Sequence, residues 1–130
     1  MLIVDISVYQ NPNQINYDQL AKSVDGVILR CGFTGWGAKT LEVDRTFKRH
    51  ERELRKRRVP LGVYYYGLAT SEAEGIREAR HVLELINGRT WELPIWYDAE
   101  DYAHYQVPMV NQFKKENNLK AGKTALTKAI

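Results

Sequence analysis

Short apolar segments alternate along the chain with segments of helical period. Each apolar segment is rich in Val, Ile, Leu or Tyr, which is typical of strands that are covered on both faces. Four strands are predicted on this basis: Leu2–Ser7, Gly26–Cys31, Pro60–Tyr66 and Leu93–Ala99. Strands that alternate with helices predict an α/β fold built from parallel βα repeats.

The helices are predicted from periodicity and from capping residues. They lie at Asn16–Ser23, from Asp44 to about Arg57, and from Ser71 onward. Ser71 and Glu74 form a capping box, which defines the start of the third helix. Residues 111–130 are expected to contain a helix that stops at Gly122, followed by a frayed tail, because no partner strand or turn is visible there.

Composition and charge narrow the classes of function. With 130 residues, 44% of them hydrophobic and 27% charged, residues 1–130 suit one globular domain. The net charge is +3, and its basic run at residues 48–58 indicates the solvated face and C-terminal end of a helix. Nucleic-acid binding is not predicted, because no aromatic-interleaved basic surface accompanies the run. The start of the chain predicts neither a signal peptide nor a membrane span.

Polar side chains gather where the predicted strands end. Trp96, Asp98 and Glu100 alternate along the fourth strand and therefore share one face. Asp5 has the same parity on the first strand. Ligands bind at this edge of α/β sheets and barrels because the loops converge there. We therefore expect these three carboxylates to lie together, beside Trp96 and the tyrosines at 64–66.

Such a cluster favours carbohydrate chemistry. Neighbouring carboxylates raise one another's pKa, so one of them can hold the proton that a general acid needs. Aromatic platforms and a paired acid and base are the apparatus of glycosidic cleavage. Three alternatives stay open at this point: helix-capping or solvated acids, a Mg²⁺ site, and a flavodoxin-like nucleotide-binding domain. The chain has no phosphate-cradling glycine loop, and its histidines, expected at the surface, lack ligand spacing.

Six motifs occur in order over residues 1 to about 102 and together resemble the glycoside hydrolase family 25 lysozymes. They are "DISVYQ", "INYDQL", "GVILRCGFTGWG", "VDRTFKRH", "PLGVYYYG" and "LPIWYDAED". Members of this family are muramidases, typical of phage endolysins and bacterial autolysins. The resemblance implies a TIM-like (β/α)-barrel, here incomplete with about four βα units.

The resemblance also implies an activity and its residues. The family cleaves the β-1,4 bond between N-acetylmuramic acid and N-acetylglucosamine in bacterial peptidoglycan, without a metal or other cofactor. Glu100 matches the proton donor, and Asp98 and Asp5 match the other acidic positions. The substrate-binding candidates are Tyr64, Tyr65, Tyr66, Trp96 and Arg30.

The chain departs from the family at its C-terminus. A complete barrel needs ~200 residues or more, so we expect a C-terminally incomplete domain whose open sheet edges could drive self-association. An inactive fragment with at most weak glycan binding is therefore the alternative function. With no signal peptide predicted, synthesis in the cytoplasm and action on the cell wall after release, as in phages or prophages, is expected.

Overall fold

The computed structural model describes residues 1–100 and a strand at residues 125–128. The strands are β1 (Ile3–Ile6), β2 (Gly26–Thr34), β3 (Leu41–Val43), β4 (Leu61–Tyr66), β5 (Ile95–Ala99) and β6 (Ala125–Lys128). The α-helices are α1 (Tyr17–Ser23), α2 (Phe47–Lys56) and α3 (Glu72–Ile86), and a 3₁₀-helix spans Pro12–Gln14. All four predicted strands and all three predicted helices are thereby confirmed, with small shifts at their ends.

The strands form one mixed sheet in the order β1-β2-β4-β5-β6, with β3 paired to the C-terminal half of β2. The pairs β1 with β2, β2 with β4, and β4 with β5 are parallel, as successive βα units require. This is the α/β architecture that the hydrophobic pattern predicts. Closure of the sheet into a barrel, and the number of units, stay predictions.

The helices cover one face of the sheet, and alternation along the strands builds the core there. Val27, Leu29 and Cys31 of β2 and Leu61 and Val63 of β4 are fully buried in this core. Residues of the opposite parity therefore point away from the helices. The third helix begins as predicted, because the Ser71 hydroxyl accepts a hydrogen bond from the backbone N–H of Glu74 at 3.2 Å.

Strand β2 is longer than predicted and changes its alternation near its end. The register with β4 shifts between Arg30 and Gly32, which marks a β-bulge. A side chain at Gly32 would collide with the backbone oxygen of Glu42, so glycine is required where β3 pairs with β2. The bulge aligns Phe33 with Tyr66 and thereby turns Phe33 to the face that lies away from the helices.

The C-terminal tail differs from the expectation. Residues Ala125–Lys128, expected to fray, form β6 and pair antiparallel with β5. This pairing satisfies backbone groups of β5, so that strand does not have the open edge that the sequence predicted. The helix expected before Gly122 lies outside the described residues. None of the described helices is long and apolar enough to cross a membrane.

Candidate active site

A groove of about 890 Å³ lies on the sheet face opposite the helices, at the C-terminal ends of the strands. Parallel register places its floor residues in rows, because partners on adjacent strands point to the same side. One row joins Arg30, Tyr64 and Trp96, and the next joins Tyr66 to Asp98. Asp5 on β1 is paired with Ile28 one row below.

All three predicted carboxylates line this groove. Asp98 is only 7% exposed, whereas Glu100 is half-buried and Asp5 is exposed. The hydroxyl of Tyr66 donates a hydrogen bond to the backbone oxygen of Glu100 at 3.2 Å, which ties the end of β5 to β4. The alternation of β5 and the position of Asp5 on β1 therefore bring the acids to one cleft, as expected from the sequence.

Asp98 has the strongest electrostatic perturbation in this cluster. Burial, followed by the nearby charges of Glu100 and Asp5, raises its pKa to about 7. The carboxyl groups of Asp98 and Glu100 lie within hydrogen-bond reach of each other. With its pKa raised to about 7, Asp98 is partly protonated near neutral pH.

Tyr64 lies on β4, between Arg30 of β2 and Trp96 of β5. Burial, together with the negative charges of Asp5 and Asp98, raises its pKa to about 12, although Arg30 acts in the opposite direction. The hydroxyl therefore keeps its proton at all ordinary pH values. A protonated phenol can donate a hydrogen bond to a sugar oxygen or to a neighbouring carboxylate.

Two buried polar atoms in the groove have no hydrogen-bond partner among the described residues. They are the indole Nε1 of Trp96 and the carboxyl Oδ1 of Asp98. Buried polar groups are nearly always paired, and an unpaired one costs about 1–3 kcal/mol. Both atoms belong to residues that line the groove, so a ligand that reaches them would meet one unsatisfied donor and one unsatisfied acceptor.

Arg30 also lines the groove, as the sequence predicts. Its Nε donates to Oδ2 of Asp44 at 2.8 Å, and its guanidinium carbon lies 4.6 Å from the ring centre of Phe33 and 5.5 Å from that of Tyr9. Asp44 is itself buried and accepts hydrogen bonds from the backbone and hydroxyl of Thr46. The orientation of the arginine is thus fixed from several sides.

Tyr65 does not have the substrate-binding position predicted for it. It points to the helix side of the sheet, is 1% exposed, and shares a hydrogen bond with the hydroxyl of Thr34 at 2.9 Å. Tyr64 and Tyr66 flank it in sequence and face the groove instead. Strand alternation dictates this division, so Tyr65 is a core residue.

Several residues of the site were not predicted from the sequence. Tyr9 and Trp36 line the groove from the loops after β1 and β2, and both rings are exposed. Asp44 was assigned only to a helix start, although it holds Arg30. Aromatic side chains directly after predicted strands were the available signal for Tyr9 and Trp36, whereas a contact between residues 30 and 44 leaves no trace in periodicity.

The histidine prediction needs one correction. His50, expected at the surface, is buried, and its ring bonds the Tyr17 hydroxyl at 2.8 Å and the Ser7 backbone oxygen at 3.2 Å. It therefore supports the loop after β1. Within residues 1–100 and 125–128, no three His, Cys, Asp or Glu side chains are close enough together to hold a metal ion.

Comparison with known proteins gives a fold relationship rather than a sequence match. No protein-family model and no curated protein matches the chain. Among solved structures it is similar to GHIP, described as a glycosyl hydrolase 25 virulence factor of Streptococcus pneumoniae, with a TM-score of 0.70 and 25% identity. That match covers 95% of this chain and 65% of GHIP, so the chain spans less than two thirds of its relative.

Two further structures agree with this. The modular autolysin LytC of Streptococcus pneumoniae, solved with a synthetic peptidoglycan ligand, gives a TM-score of 0.64 at 27% identity over 87% of this chain and 28% of LytC. The catalytic domain of endolysin ply40 from Listeria monocytogenes bacteriophage P40 shares the fold, with a TM-score of 0.63 at 20% identity over 92% of this chain and 60% of that domain. The structural relatives of this chain are thus glycoside hydrolase family 25 lysozymes, autolysins and endolysins, which confirms the resemblance seen in its motifs.

Proposed function

We propose that this chain is a peptidoglycan hydrolase of muramidase type, which cleaves the β-1,4 bond between N-acetylmuramic acid and N-acetylglucosamine. The observation that carries the proposal is the buried Asp98, with its raised pKa, beside Glu100 and Asp5 in a groove walled by aromatic rings. The similarity to LytC, solved with a peptidoglycan ligand, supports the same substrate class. The bacterial cell wall, reached after release from the cytoplasm, is the proposed place of action.

The chemistry divides between the acids. Cleaving a glycoside requires a proton for the leaving oxygen and negative charge near the anomeric carbon. Asp98, whose pKa is raised to about 7, lies within hydrogen-bond reach of Glu100, so a proton can pass from Asp98 to Glu100. Glu100, the more exposed of the two, donates this proton to the leaving oxygen, and Asp98 and Asp5 stabilise the positive charge that develops on the sugar.

The aromatic residues and the unpaired polar atoms bind and orient the sugar. Trp96 Nε1 has no partner in the described part of the chain, so it is available to a substrate oxygen such as an acetamido carbonyl. Tyr64 supplies a second donor on the adjacent strand. The exposed rings of Tyr9 and Trp36 give the apolar faces of sugar rings a surface on which to stack.

The test is release of reducing sugar from purified peptidoglycan by the wild-type chain and by Glu100→Gln. Loss of a general acid lowers the rate by about 100-fold or more, so we expect the variant to be nearly inactive. Glu84→Gln is the matched control, because Glu84 is exposed on α3 and distant in the chain from the groove residues. Equal rates for wild type and Glu100→Gln would contradict the assignment of the acid.

A glycan-binding role without turnover is the second candidate. It is favoured by the exposed rings of Tyr9 and Trp36, which can stack on sugar without any help from the acids. Wild-type chain that sediments with insoluble peptidoglycan but releases no reducing sugar would support this role. The same measurement on Glu100→Gln separates the two, because only a hydrolase is sensitive to loss of the acid.

A further inference from the structure

Arg30 is a groove residue to which the proposed hydrolysis assigns no step. Its side chain is 10% exposed, and only its Nε is engaged, by Asp44 at 2.8 Å. Among the described residues, none accepts a hydrogen bond from its two terminal nitrogens, Nη1 and Nη2. Nη1 and Nη2 of this nine-tenths buried arginine can therefore donate hydrogen bonds to a ligand in the groove.

The arginine is also rigid. Phe33 lies 4.6 Å from the guanidinium carbon and Tyr9 lies 5.5 Å from it, so two rings restrict the plane of the fork. Asp44 restricts its in-plane rotation through Nε. A guanidinium that is already oriented loses little conformational entropy when a ligand binds, which favours a two-pronged hydrogen bond to a planar anion.

The need to neutralise the charge of Asp44 does not explain why Arg30 is buried and held between two rings. Asp44 already accepts hydrogen bonds from the backbone N–H of Val8 at 3.0 Å and of Thr46 at 2.9 Å, and from the Thr46 hydroxyl at 2.7 Å. Those bonds contribute to the lowering of its pKa, as does the bond from Arg30. The carboxylate thus has three other donors, and its burial alone does not require a stacked guanidinium.

Arg30 lies between the acids of the groove. Asp98 and Glu100 lie on and after β5, two strands away from Arg30 of β2, with Tyr64 of β4 between them, whereas Asp5 lies on β1, on the other side of β2 and one row below. An anionic group on a substrate is repelled by these carboxylates and attracted by the guanidinium. The groove therefore favours a position for that group at Arg30 rather than beside the acids.

We propose that Arg30 recognises a carboxylate carried by the glycan, with its two terminal nitrogens, and so sets specificity for acidic over neutral amino-sugar chains. This inference rests on the proposed peptidoglycan substrate and adds a specificity-determining residue to it. In such a glycan the carboxylate can belong to the lactyl ether of the sugar or to an attached peptide. Both offer the same planar anion to the guanidinium.

Binding of three small ligands to the wild-type chain tests this without any hydrolysis. The first is the N-acetylglucosamine–N-acetylmuramic acid disaccharide with a free lactyl carboxylate, and the second is its neutral N-methylamide. The third carries a dipeptide on the lactyl group, with its only carboxylate at the peptide C-terminus. Dissociation constants come from ligand-observed NMR at a pH where the carboxylates are ionised.

A charge-assisted pair is expected to make a carboxylate ligand bind about tenfold tighter than the neutral amide. Preference for the free lactyl acid assigns the anion to the sugar, and preference for the dipeptide assigns it to the peptide. Equal affinity for all three ligands, or binding of none, overturns the proposal. Hydrolysis of peptidoglycan is measured separately, so an active chain with no carboxylate preference refutes only the role of Arg30.

Variants test whether Arg30 is the residue that causes the preference for carboxylate ligands. Arg30→Gln is expected to remove the about tenfold preference and to leave the affinity for the neutral amide within about twofold. Arg30→Lys keeps the charge but loses the fork, so it should keep only part of the preference. Arg52→Gln removes the same charge from an exposed position on α2 and should leave the preference unchanged. A preference that persists in Arg30→Gln shown to be folded by its melting curve overturns the assignment.

Discussion

Two buried carboxylates lie on opposite faces of the sheet and differ in how many hydrogen bonds they accept. Glu78 of α3 is 3% exposed and accepts hydrogen bonds from Leu68 N at 2.9 Å, Ala69 N at 3.1 Å and the Tyr97 hydroxyl at 2.7 Å. The hydroxyl of Thr34 is a fourth donor to it. Asp98 is 7% exposed and faces the groove with one oxygen unpaired in the described part of the chain.

The difference separates a carboxylate that holds the fold together from one to which we assign a role in the proposed reaction. Glu78 joins the ends of β2 and β5 and the loop after β4 through its hydrogen bonds, so its negative charge is used in holding the fold together. Asp98 is one residue along β5 from Tyr97 and points the other way, where like charges and burial raise its pKa. A fold that keeps such a group buried beside other acids gives up stability at that position.

The largest expected effect comes from neutralising Asp98. Asp98→Asn should lower the rate of sugar release by about 100-fold or more, because it removes the charge that stabilises the developing cation. Its stability should be unchanged or higher, since repulsion with Glu100 and Asp5 disappears. Activity assays and urea midpoints on the same preparations check both, with the exposed Asp18→Asn as control. A strongly destabilised Asp98→Asn would remove the distinction between the two acids.

Removing Glu78 should lower stability and leave activity nearly unchanged, which is the reverse of the result expected for Asp98→Asn. Glu78→Ala removes the acceptor of four hydrogen bonds, and we expect a loss of about 3 kcal/mol in the free energy of unfolding. The groove acids are untouched, so activity per folded molecule at low temperature should stay within a few-fold of wild type. Glu84→Ala on the same helix is the matched control. A catalytic defect that exceeds the loss of folded protein would show that Glu78 also acts on the site.

The pH dependence of the free energy of unfolding provides a further test of the raised pKa of Asp98. Because the pKa of Asp98 is raised to about 7 in the folded chain, the folded state holds this proton more tightly than the unfolded state. The resulting stabilisation is complete below the unfolded pKa of about 3.9 and is lost as the pH rises through 7. Wild type should therefore lose more stability than Asp98→Asn between pH 4 and pH 7. Parallel curves for the two proteins, from denaturant midpoints, would contradict the raised pKa.

The smallest effects are expected from adjacent tyrosines. Tyr65→Phe removes a buried hydrogen bond to Thr34 and should lower stability by about 1 kcal/mol with little change in activity. Tyr64→Phe removes a groove hydroxyl and should lower activity several-fold with little change in stability. Thermal melts and sugar-release rates measured on both variants check the pair. Exchange of these two outcomes would mean that strand β4 faces the other way.

The faces of the strands were largely predictable, because alternation alone groups Asp98 with Glu100 and separates them from Tyr97. The same parity on the first strand added Asp5, and the motifs then added the roles of the three acids. Strand alternation also separates Tyr65 from its neighbours, but the sequence does not say which parity of β4 faces the helices. Only the packed structure decides that.

Long-range polar contacts were beyond prediction for a different reason. Glu78 and Thr34 are 44 residues apart, and His50 and Ser7 are 43 apart. No periodicity or capping rule links such positions, and a polar residue on a helix is ordinarily assigned to solvent. The tail strand β6 was missed in the same way, because its pairing depends on the neighbouring edge of β5 rather than on its own composition.

The bulge in β2 has a consequence for how this strand can change during evolution. One additional residue between Arg30 and Phe33 lets the same strand supply Cys31 to the core and Phe33 to the groove. Deleting a single residue there would send every later side chain of β2 to the wrong face, whereas most substitutions alter one contact. Natural relatives of this chain should therefore keep the length of this segment as strictly as the glycine at position 32, and vary its other core and groove residues more readily.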